Sequence, residues 1–174
     1  MRSRQMAQAG QDGRRWPAAG LRARLALLLA LAGAAGPALA LPSTFGPTIG
    51  SALLCRSQLD SAAFRLYLQK TFGPSYKHEG GAYWFRTTDA QLWGQQVSEV
   101  MVSDDNDGYL FIAAVAETSP DKLADAVRDV AGTTFRPADA STYPLRIARP
   151  GVTIAYHKDK SKIYCARRQP LPLR

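Results

Sequence analysis

Histidine and cysteine are scarce in this chain: His78 and His157, Cys55 and Cys165 are the only ones among 174 residues. So small a set cannot by itself supply a structural or catalytic zinc site, which would need carboxylates gathered from distant parts of the fold. His78-Glu79 has the start of the H-E-x-x-H zinc-protease pattern, but the position of the second histidine is Ala82. Phosphate-cradling loops are missing too, since neither G-x-G-x-x-G nor G-x-x-x-x-G-K-[ST] can be written through Gly80-Gly81. There is no G-x-S-x-G and no serine next to a histidine. A hydrolase would therefore have to assemble its site through space, around His157 or His78. We expect no catalytic residue, no metal ligand and no cofactor.

Long apolar runs are also lacking. The stretch from Leu25 to Leu31 trails into Ala, Gly and Leu with Gly33, Gly36 and Pro37, and falls short of the ~20 apolar residues of a membrane-spanning helix. Arg2, Arg4, Arg14, Arg15, Arg22 and Arg24 precede it and Ala38-Leu39-Ala40 follows. A basic start, an apolar middle and a small-residue A-x-A stop describe an export signal removed after Ala40, which leaves no transmembrane anchor. The expected organisation is a signal at 1–40, an extended tail at 41–50, a single domain at 51–166 and a basic tail at 167–174. Localisation follows as exported, periplasmic or secreted.

The net charge of +8 then loses most of its meaning. Removing the leader leaves 16 basic and 13 acidic residues, a net +3. With so small a charge and no recognition motif, nucleic acid is excluded as a partner. The remainder is polarised: Lys77 to Tyr143 holds five basic and eleven acidic residues, Pro144 to Arg174 eight basic and one acidic.

What is present reads as a small α+β domain. Ala63, Phe64, Tyr67, Leu68 and Phe72 recur at helical spacing between Asp60 and Phe72, with Asp60 or Ser57 as cap and Gly73-Pro74 as the stop. Strands are expected at Ala82 to Thr88, Val97 to Ser103 and Tyr109 to Ala116, the last two joined by the turn-forming Asp104 to Gly108. That Asp-rich turn matches part of a calcium-binding EF-hand loop, but Ser103 and Ala114 stand where its first Asp and last Glu belong. A second helix spans Pro120 to Ala131, capped by Ser119 and ended by Gly132. Its buried stripe is expected to be Leu123, Ala126, Val127, Val130 and Ala131. Two more strands, Val152 to His157 and Lys162 to Ala166, close the chain.

The order α-β-β-β-α-β-β implies an antiparallel sheet of about five strands with two main helices packed on one face. Cys55 and Cys165, in an exported protein, are expected to form a disulfide that staples the first helix to the last strand. The run Tyr109 to Val115 is apolar at successive positions, so both its faces need covering.

Two features are candidates for recognition. Tyr83, Trp84 and Phe85 are consecutive, so strand alternation sends Trp84 to the opposite face from its neighbours, and Trp93 follows nearby. Lys158, Lys160, Lys162, Arg167 and Arg168 gather at the end of the chain. They suit an anionic envelope surface or an acidic partner, or else guard an edge strand against aggregation. These properties imply a small non-enzymatic binding, assembly or accessory domain of the cell envelope, with another envelope protein as partner and association between copies also open. The competing classes are the hydrolase above and a secreted enzyme inhibitor acting through a protruding loop, Asp104 to Gly108 or Lys158 to Ser161.

Overall fold

The computed structural model describes residues 44–106 and 108–169. Its strands are β1 (Lys77–Glu79), β2 (Ala82–Leu92), β3 (Gln95–Ser103), β4 (Tyr109–Ala116), β5 (Arg136–Pro137), β6 (Arg146–Ala148), β7 (Val152–His157) and β8 (Lys160–Arg168). All eight form one antiparallel sheet in the order β1-β2-β3-β4-β8-β7-β6-β5. The α+β class and the single antiparallel sheet match the sequence reading, but the count of about five strands does not. The three extra strands are two or three residues long, too short to show a period of two.

Helix α2 (Ser61–Phe72) begins where Asp60 Oδ1 accepts from the Ala63 backbone N–H at 2.9 Å. Helix α3 (Pro120–Ala131) begins at the Ser119 cap and ends at Gly132, whose φ of +67° is the left-handed conformation glycine adopts freely. Leu123 and Val127 are buried, whereas Val130, expected in the buried stripe, is 69% exposed. Leu123 and Val127, one turn apart, suffice with Pro120 to seat this short helix on β7 and β8, and Val130 points away to solvent. Arg146, itself buried, holds the start of α3 through two bonds to Asp121, one of them from Nε at 2.8 Å. Arg56 donates to the Ala131 carbonyl at 2.6 Å and so satisfies a carbonyl at the other end.

Residues 44–50 are not part of the extended tail that the prolines and glycines of 41–50 suggest. Gly46–Gly50 is a π-helical turn that runs into an α-helical one, Ser51–Leu53, together called α1. Phe45 and Ile49 are buried in the core, and that burial outweighs the local preference of Gly and Pro for irregular chain. The Trp93 ring packs over Gly50, where a Cβ would meet it at 3.6 Å, an ordinary packing distance. The basic tail likewise starts later than 167, because β8 continues through Arg168. The expected signal at 1–40 lies outside the described residues.

Just past α1, Cys55 is bonded to Cys165 with 5.4 Å between Cα atoms. Cys165 sits in a transverse row on the helix-covered face with Tyr83, Val102, Ile112 and Val152. A parallel row, Phe85, Val100, Ala114, Ile163 and Ile154, is buried to 1% exposure or less. The main core is these rows packed under α1, α2 and α3.

Candidate functional site

The other face of the sheet carries its own apolar cluster, separate from the main core. Its register is continuous: Lys77, Trp84, Met101, Ala113, Tyr164 and Thr153 are successive partners across β1, β2, β3, β4, β8 and β7. On one side of this row lie Phe111 and Ala166, and on the other Val115 and Lys162. Met101 and Ala113 are each 3% exposed, screened by the larger side chains around them, while Trp84, Phe111 and Tyr164 are half-buried. No described helix packs over this face. Small alanines in the middle and aromatic rings around them leave a groove of about 520 Å³.

The alternation expected for Tyr83-Trp84-Phe85 is what separates the two faces. Phe85 is in the main core, and Tyr83 stacks on His78 with ring centroids 4.3 Å apart. Trp84 stands alone on the open face, its indole N–H donating to the Glu79 carbonyl at 3.1 Å and Lys77 Nζ 4.7 Å from its ring centroid. Trp93 does not join it. It occupies the β2–β3 hairpin at φ +52°, followed by Gly94 at φ +74°, and packs against the main core. Two successive positive φ values match a type I′ turn, unusual for a bulky residue, and the contact with Gly50 and the core holds the ring there.

The basic cluster is dispersed by the same alternation. Lys158 is exposed at the β7–β8 turn with φ +60°. Lys160 binds Glu117 at 2.7 Å, which holds the carboxyl below its usual range and the ammonium above. Arg167 donates to the Cys55 carbonyl at 3.1 Å, and Arg168 lies 6.0 Å from the Tyr109 ring centroid. Lys162 alone of the five lines the groove. Because β8 lies between β4 and β7, these lysines do not guard a sheet edge, and that reading of them is withdrawn.

The histidines are placed apart. His78 Nε2 meets Asp104 Oδ2 at 2.7 Å, and this bond, with the Asn106 N–H, holds the Asp104 carboxyl below its usual range. Among the described residues neither imidazole bonds a serine, threonine or cysteine. Ser103, the hydroxyl nearest in sequence to this pair, is tied instead to Ser61 at 2.7 Å, to Asp105 at 3.1 Å and to the Phe111 N–H at 3.0 Å. Beyond β2, Tyr76 donates to Glu99 at 2.7 Å. Burial, then the bond to Glu99, pushes its ionisation up to about 12.

Sequence reasoning missed Met101, Ala113, Phe111 and Tyr164 as parts of one surface. The available signal was the doubly apolar run 109–115 together with the alternation Lys162, Tyr164, Ala166 against Ile163 and Cys165. What fold and site define is an α+β sheet domain with a second apolar face that no helix covers among the described residues. No protein family, curated protein or solved structure matches the chain.

Proposed function

We propose that the chain is an exported, non-enzymatic binding domain of the cell envelope, and that what it binds seats on the open face of the sheet. The observation that carries this reading is the groove ringed by Trp84, Phe111 and Tyr164 on a face without a covering helix among the described residues. An apolar surface ringed by aromatics is costly to leave in water and is a common mark of a binding site. Export is supported by the A-x-A leader and by the Cys55–Cys165 bond, since disulfides persist in oxidising compartments. Binding is favoured over hydrolysis because His78 is engaged by a carboxylate and stacked on a ring, with no hydroxyl bonded to it among the described residues.

The test is site-specific photocrosslinking in intact cells that express the full chain. A photoreactive phenylalanine analogue replaces Tyr164 on the open face, or Val130 on the exposed side of α3 as a control. We expect an adduct from position 164, of whatever mass, and only background from 130. Equal yields at the two positions, or no adduct at 164, would refute the assignment of this face.

A further inference from the structure

Of the charged side chains lining the groove, Glu79 is neutralised by Lys77 at 2.7 Å. Lys162 is half-buried and has no carboxylate within ion-pair distance among the described residues. An ammonium beside apolar rings with no counter-ion favours a ligand that brings its own negative charge. Val115, the cross-strand partner of Lys162, lines a polar cleft of about 530 Å³ where Arg86 and Lys158 likewise lack an ion-pair partner among the described residues. Within that cleft Lys160 is paired with Glu117, while Arg86 and Lys158 stand with two carboxylates, Asp159 and Glu99, the latter accepting from the Tyr76 hydroxyl. The Lys162 end of the groove is thus the polar, wet end.

The remainder of the groove has the opposite character. Its floor is Met101 and the alanines 82, 113 and 166, laid on β2, β3, β4 and β8, whose backbone groups are used in ladders on both sides. A peptide or a sugar lying there would bury amides or hydroxyls opposite side chains that cannot bond them, and that desolvation opposes binding. A hydrocarbon chain has no such groups to strand. From Lys162 to Ala166 along β8 the track is four residues long, or roughly 13 Å at ~3.3 Å per residue.

We propose that the open face is a binding site for a medium- or long-chain carboxylate, its acyl chain lying over Ala113 between Trp84 and Tyr164 and its carboxylate on Lys162. This rests on the open face being the binding surface and adds the class of ligand. Binding would bury apolar surface on both partners and give Lys162 the counter-ion it lacks.

The test is isothermal titration of the purified, disulfide-bonded protein, expressed as the full chain, with dodecanoate below its micelle-forming concentration. Dodecanol supplies the chain without the charge, and acetate the charge without the chain. Dodecanoate is expected to bind saturably at one per protein, tenfold or more tighter than dodecanol, with acetate showing no binding. Lys162→Met keeps the apolar stem and should abolish the preference for dodecanoate over dodecanol. Ala166→Trp, at an exposed position and so compatible with folding, should block the far end and weaken both by tenfold or more. Circular dichroism of both variants reports that the fold is kept.

Absence of saturable dodecanoate binding overturns the proposal, as does binding indifferent to both substitutions or equal to that of dodecanol. If the face instead seats a second copy of the chain, light scattering gives a dimer that Ala166→Trp dissociates, and the proposal falls. A protein adduct at position 164 without dodecanoate binding would overturn the ligand while leaving the binding face standing. Background-only crosslinking at 164 would instead count against the face itself.

Discussion

Reduction of the Cys55–Cys165 bond offers the sharpest quantitative test of how this domain is held together. The bond closes a loop spanning 110 residues of sequence separation, most of the folded chain. In the chain-entropy account such a cross-link removes conformations from the unfolded ensemble and contributes about 4–5 kcal/mol to stability. Domains of this kind are stable by only about 5–15 kcal/mol, so reduction should remove about a quarter or more of the total. With a urea slope of about 2 kcal/mol/M, the unfolding midpoint should fall by about 2 M when urea titrations with and without reductant are compared by circular dichroism. The slope itself should rise on reduction, because an uncrosslinked unfolded chain exposes more surface. Both cysteines are buried, with Cys165 at 0% exposure, so reduction is preferable to substitution, which would add a cavity cost. A midpoint shift below about 0.5 M with an unchanged slope would refute the reasoning and show that packing of α1 on β8 constrains the chain without the bond.

Other consequences follow from burial and from charge. Phe85→Ala empties a site 1% exposed in the centre of the main core and should cost about 3–5 kcal/mol, whereas Val130→Ala, at 69% exposure, should change stability by less than about 0.5 kcal/mol; urea denaturation of the two variants checks the contrast. The Asp104 carboxyl is held low by His78, so its contribution is present above the unfolded value of about 4 and is lost as pH falls through the folded one; Asp104→Asn should flatten that acid limb in thermal melts taken from pH 6 to 2. Tyr76 runs the other way: its raised value favours the neutral phenol, a contribution present below about 10 and lost as pH rises toward about 12, and ultraviolet titration should show one late-ionising tyrosine that Tyr76→Phe removes.

Much of the fold was legible because its elements carry local signals. Asp60 and Ser119 cap their helices and Gly132 ends α3, each as the sequence implies, since these depend on bonds made within one or two turns. The cysteine pairing was legible because two cysteines allow a single bond and the leader-like start implies an oxidising compartment. Local signals failed where distant packing decided the outcome. Pro42, Gly46, Pro47 and Gly50 read as loose chain, yet Phe45 and Ile49 fill the core and hold residues 46–53 helical. Trp93 sits at a left-handed position that its residue type disfavours, because its ring is held against Gly50.

The sequence by itself determined which strand residues share a face, since alternation is a property of the extended chain: Trp84 had to oppose Tyr83 and Phe85, and Lys162 had to accompany Tyr164 and Ala166. Only the tertiary structure decided which strands stand side by side. Residues 84, 101, 113 and 164 become one row because β8 inserts between β4 and β7, a pairing made over some fifty residues of chain for which no local pattern exists. That pairing turned five clustered basic residues into one groove-lining ammonium and four others bound elsewhere or facing water, and it left one apolar face of the sheet without a covering helix among the described residues.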